Sequence, residues 1–140
     1  MIVVANATPL IALDAVGCLH LLPALYTEIH IPEAVYNEVV VAGAGRAGAA
    51  GVSDAAWIVP HAVSDELASE LQTKRGLGAG ESETLVLAQE LRAEFVLLDD
   101  RAARRVARQL NLPLLGTVGV LLIAKKSKLI LAVKPLLDGL

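Results

Sequence analysis

Cysteine is nearly missing: Cys18 stands alone among 140 residues. An internal disulfide and a thiolate zinc cluster are therefore excluded, and with them the stapled scaffolds of oxidising compartments. The expected setting is cytoplasmic. Long apolar runs are missing too, since the stretch from Val118 to Ala124 is far short of the roughly 20 residues that a spanning helix needs. No membrane association is expected. The opening MIVVANATPLIAL has no basic leader and reads as folded protein.

Aromatic residues make up only 3%, and Tyr36, Trp57 and Phe95 are too scattered for a base-stacking platform. There is no G-x-S-x-G turn for a serine nucleophile. GLGAGE lacks the Lys-Ser/Thr ending of a phosphate loop and does not follow the first strand. His20, His30 and His61 show no compact ligand spacing and read as structural or exposed.

What is abundant is apolar: 55% hydrophobic residues against 19% charged, with mean hydropathy +0.59. The chain therefore folds, and its length suits one domain, 1–140. A small domain has little interior for such a surplus, so a homodimer or higher homo-oligomer is expected. Net charge is −3, but residues 101–140 hold eight Lys/Arg against the single Asp138, while residues 1–100 hold four against fourteen acids. The overall sign is thus a weak guide to partners.

The elements alternate. MIVVAN reads as a buried strand ending at Asn6, followed by a helix with Thr8 as N-cap and Pro9 at its first position, closed by Gly17. CLHLLPAL is a short helix interrupted by Pro23. TEIHI is a strand stopped by Pro32, PEAVYNEVV a helix, and WIVPH a strand. AGAGRAGAAGV suits either a loop or a small-residue helix. SDELASELQTKR is a helix, GLGAG punctuates, and a further helix runs from Glu81 to about Leu91. EFVLLDD is a strand, RAARRVARQL a helix, NLPLLG a loop with a short strand, TVGVLLIAKK a helix capped by Thr117, and KPLLDGL a last short helix. Such alternation implies an α/β fold with a mainly parallel sheet covered on both faces.

In these sheets reactive groups gather beyond the carboxyl ends of the strands. Asn6 closes the first strand, Asp99 and Asp100 close another, Glu38 follows the second, and Glu81 opens the helix after GLGAG. Carboxylates crowded into one crevice repel unless a cation neutralises them, and oxygen donors favour Mg²⁺ or Mn²⁺. That points to metal-assisted phosphodiester hydrolysis. The plainer reading is helix capping, which suits Glu81, Asp99 and above all Asp100, while Glu38 also reads as an ordinary surface acid. Arg101, Arg104, Arg105 and Arg108 share a helical face, either as a phosphate-contacting surface or as a solvated one.

The stretches VVANATPLIAL, IPEAVYNEVV, GLGAGESETLVLA, FVLLDDRAARRVA and LLGTVGVLLIAKK occur in order over almost the whole chain. In that order the sequence resembles the PIN-domain ribonuclease superfamily, in its small stand-alone prokaryotic branch of predicted nucleic acid-binding proteins related to toxin ribonucleases. The resemblance implies a three-layer α/β/α sandwich and a Mg²⁺- or Mn²⁺-dependent endoribonuclease acting on single-stranded RNA. It also implies an antitoxin partner and homodimers. Carried over by motif, Glu38, Glu81 and Asp99 are the catalytic and metal-binding acids, with Thr8, Glu83, Asp100 and Thr117 as secondary neighbours. Asn6 occupies the position of the usual first aspartate. Its amide offers a carbonyl oxygen but neither a charge nor a base. The alternative function is therefore a catalytically weak or inert module of the same fold that binds nucleic acid or protein.

Overall fold

The computed structural model describes all residues, 1–140. Five short strands, β1 (Val3–Ala5), β2 (Ile29–Pro32), β3 (Ile58–His61), β4 (Phe95–Leu97) and β5 (Leu114–Leu115), form one sheet in the order β3-β2-β1-β4-β5. Every pairing is parallel. Nine helices surround it: α1 (Ala7–Ala15), α2 (Leu21–Tyr26), α3 (Glu33–Tyr36), α4 (Ala49–Asp54), α5 (Asp65–Arg75), α6 (Ala79–Leu91), α7 (Arg101–Gln109), α8 (Thr117–Lys126) and α9 (Lys134–Leu137). A π-helical turn, Asn37–Ala42, continues α3.

The central strands are apolar on both sides because both sides are covered. Val3, Ala5 and Leu97 face a core built with Leu10 and Leu13 of α1, Leu21 and Leu22 of α2, and Val120 and Leu121 of α8. Val4, Val96 and Leu98 face the opposite core, with Leu85 and Leu87 of α6 and Ala103 and Val106 of α7. These are the three layers of an α/β/α sandwich. No helix is long and apolar enough to cross a membrane.

Four local expectations are corrected. Asn6, not Thr8, is the N-cap of α1, because the chain leaves β1 and turns helical at once. Pro23 lies within α2 without interrupting it, since in the first turn its missing N–H has no intrahelical acceptor to lose. The glycine-rich stretch is both loop and helix, with α4 starting at Ala49. Thr117 is the first residue of α8, and Gly116 takes the cap position.

The chain lays down β1, β2 and β3 in one direction, then returns to place β4 on the other side of β1. The crevice beyond the carboxyl ends of β1 and β4 is thus the switch point at which doubly wound sheets take ligands. Asn6 follows β1 there, and Asp99 follows β4.

Candidate functional site

Asn6 is 2% exposed and is held from both ends. Its backbone N–H donates to the Leu97 carbonyl at 3.0 Å, tying it to β4. Its side-chain Oδ1 accepts from the Thr84 hydroxyl at 3.4 Å, a weak contact beside the 2.7 Å bond from that hydroxyl to the Gly80 carbonyl. A Cβ added at Gly80 would lie 3.6 Å from Asn6 Oδ1 and 3.7 Å from Glu38 Oε1. The amide oxygen and the carboxylate therefore converge above the first turn of α6.

Glu81 joins them from that turn. Its carboxylate leans back over the N-cap residue, where a Cβ at Gly78 would sit 2.6 Å from Oε2. An acid in this position complements the helix dipole. Burial first, and then the charge of Glu81, push the Glu38 carboxyl above the usual glutamate range. A carboxyl raised in the folded state favours folding below its unfolded pKa of about 4.3, and that advantage is lost as pH rises through the folded value. Glu38→Gln is accordingly expected to raise the melting temperature at about pH 7 and to leave it unchanged at about pH 4. Differential scanning fluorimetry at both values checks this, and an equal shift at the two would refute the raised carboxyl.

Four other acids are occupied. Asp99 accepts from the Thr117 N–H at 2.8 Å through Oδ1 and from the Thr117 hydroxyl at 2.6 Å through Oδ2. It thereby caps α8 from the end of β4. Asp100 caps α7 by accepting from the Ala103 N–H at 2.8 Å. Glu83 accepts from the Ala34 N–H in the first turn of α3 at 3.3 Å. Asp14 accepts from the Gly48 N–H at the start of α4 at 2.7 Å. Four carboxylates thus satisfy N–H groups that helix starts otherwise leave open.

The arginines divide. Arg104 is half-buried and donates to the Leu98 carbonyl at 2.6 Å, so its guanidinium is folded back on the strand end. Arg101, Arg105 and Arg108 are exposed on the outer face of α7. No acid lies within ion-pair distance of any of them, the one Lys/Arg pair being Lys74–Glu70. Thr8 is exposed on α1, and Thr117 is buried in its bond to Asp99.

Sequence reasoning missed three features. Thr84 carries the buried hydroxyl behind Asn6; its place one turn beyond Gly80 was the available signal. A cavity of about 440 Å³ opens beside Glu38, lined by Ile11, Val39, Ala42, Gly43 and Ala47 and by the exposed Arg46. His30 and His61, thirty-one residues apart, meet at 2.8 Å, a contact visible only once β2 and β3 are paired.

A doubly wound parallel sheet with polar side chains beyond β1 and β4 defines an α/β protein with a polar switch-point crevice. The family model described as PIN domain matches residues 2–140. The chain belongs to the PIN-domain family. No curated protein matches it.

The Mg²⁺ or Mn²⁺ that the family implies needs a convergent set of oxygen donors. No three His, Cys, Asp or Glu side chains come together where they could hold a metal ion. Glu38 and Glu81 lie close enough for each other's charge to be felt, Asn6 adds a neutral amide, and Asp99 is turned to Thr117. The residues do not fit the full four-donor site.

Proposed function

We propose that this chain is a PIN-fold module that binds single-stranded RNA through α7 and hydrolyses it weakly or not at all. The observation that carries the reading is the contrast at the sheet edge. Asp99, Asp100 and Glu83 cap helices, whereas Arg101, Arg105 and Arg108 stand exposed with no ion-pair partner. Guanidinium groups free of carboxylates are suited to phosphate oxygens. Spaced along one helix face, they follow a backbone without reading its sequence. Val118, Leu122 and Ile123, exposed on α8, are part of the same proposal as an apolar surface for a second copy or an antitoxin-like protein.

The test is fluorescence anisotropy of a labelled single-stranded RNA with the wild type and the Arg101→Ala/Arg105→Ala/Arg108→Ala variant. Loss of three phosphate contacts is expected to weaken binding at least about tenfold and to flatten the log-affinity against log-salt slope by about 2. Unchanged affinity in the variant would remove the arginine face from the proposal. The same RNA incubated with Mn²⁺ tests hydrolysis, with Glu38→Gln as the background. Cleavage above that background favours the second reading, a cytoplasmic metal-dependent endoribonuclease, for which the convergence of Asn6 Oδ1 and Glu38 Oε1 above Gly80 is the supporting geometry.

A further inference from the structure

We propose that His30 and His61 form a two-imidazole site for a borderline transition-metal dication of the Cu²⁺, Ni²⁺ or Zn²⁺ class, on the β2–β3 edge of the sheet. His30 lies within β2, and His61 ends β3, the edge strand. Their register, His30 opposite Val59 and Pro32 opposite His61, puts both rings on one face of the sheet. His30 Nδ1 and His61 Nε2 then face each other at 2.8 Å, with ring centroids 5.0 Å apart and planes inclined by 43°.

Glu28 stands beside the pair. Its carboxylate lies 4.0 Å from His30 Nε2, the nitrogen that faces away from His61. A carboxylate on that side favours a proton on Nε2, which leaves Nδ1 with its lone pair directed at His61. If it closed to hydrogen-bond distance, Glu28 would hold the ring as an acid holds a metal-bound histidine from behind. With His30 protonated on Nε2, His61 supplies the hydrogen of the Nε2–H···Nδ1 contact in the metal-free protein. When the ion enters, that proton passes to His61 Nδ1 through solvent, so the neutral pair releases no net proton.

The spacing suits one ion. Two nitrogens at about 2.0–2.1 Å from a metal and at right angles to each other stand about 2.9 Å apart. Right-angle nitrogen pairs belong to tetragonal and octahedral centres, and imidazole favours Cu²⁺, Ni²⁺ and Zn²⁺ over the hard ions. Small ring rotations turn the two lone pairs from each other towards a shared point. No third His, Cys, Asp or Glu completes the set. Both histidines are partly exposed, so water fills the remaining positions and the ion is exchangeable.

The test is calorimetric titration of the tag-free full chain with CuCl₂, NiCl₂ and ZnCl₂, together with electron paramagnetic resonance of the Cu²⁺ form. One ion per chain is expected, tightest for Cu²⁺, with hyperfine coupling to two imidazole nitrogens. His30→Gln and His61→Gln should each lower affinity at least about tenfold, and Glu28→Gln should lower it less. His20→Gln and Glu38→Gln should leave it unaltered. A Cu²⁺ spectrum without two coupled nitrogens in the wild type overturns the site whether or not any variant folds. So does affinity that survives both histidine substitutions or disappears in Glu38→Gln.

Discussion

Asn6→Asp is expected to lower the melting temperature by about 10 °C, and Mn²⁺ is expected to recover part of the loss. The substitution places a carboxyl in a position 2% exposed, beside Glu38 and a short way from Glu81. An uncompensated buried charge costs several kcal/mol even after relaxation. In a domain of this size each kcal/mol corresponds to about 3–5 °C. The third carboxylate also completes a set of oxygen donors, so a divalent cation now binds the folded state in preference to the unfolded one and stabilises it by mass action. Thermal melts with and without millimolar Mn²⁺, repeated at acid pH where the introduced group is protonated, read both effects. A variant as stable as the wild type without metal would show that Asn6 does nothing to relieve charge in the crevice.

The second large effect belongs to Asp99. Asp99→Ala removes both bonds to Thr117, whose hydroxyl is left buried at 3% exposure, and uncaps α8. Hydrogen bonds to a charged acceptor are worth about 1.5–3 kcal/mol each, and a lost cap about 0.5–2. These contributions overlap, and a net loss of about 3 kcal/mol is expected. Asp99→Asn retains the geometry: its amide oxygen accepts from the Thr117 N–H while its amide nitrogen donates to the hydroxyl. The loss should then be about 1 kcal/mol. Chemical denaturation of both variants settles the comparison, and equal damage by alanine and asparagine would mean that the cap is not what Asp99 provides. RNA affinity, which rests on the exposed arginines, should be the same for Asp99→Asn and the wild type.

Gly116 explains why this cap can form. A Cβ there would approach Asp99 Oδ1 to 2.9 Å and the Arg104 guanidinium to 3.3 Å. The NLPLLG segment therefore ends in glycine so that β4 and the start of α8 can close on each other.

Much of the fold was legible because its signals are local. The β-branched run before Asn6, the stop at Pro32 and the apolar FVLL segment each mark a strand within a few residues of its observed place. Asp100 was read from its position, ahead of Asp99, as the cap or first-turn residue of α7, and it is the cap. Helix starts were less legible where the capping group comes from afar. Thr117 has the right chemistry for a cap, yet its helix is capped by Asp99, eighteen residues earlier. Glu83 reaches across to α3, forty-nine residues away. Periodicity and propensity do not contain such partners, because only sheet pairing and helix packing bring them together. For the same reason the acids at the crevice could be named from sequence, but how many were already engaged could not.

The position of β1 also has a consequence for how the molecule is made. Val3, Val4 and Ala5 pair with Phe95, Val96 and Leu97, so β1 is synthesised long before the strand that covers its second edge. Contacts this distant in sequence are slow to form, and an open edge is prone to pairing with other chains while it waits. β2 and β3 can join β1 during synthesis, whereas sealing the switch-point crevice is a late event in folding.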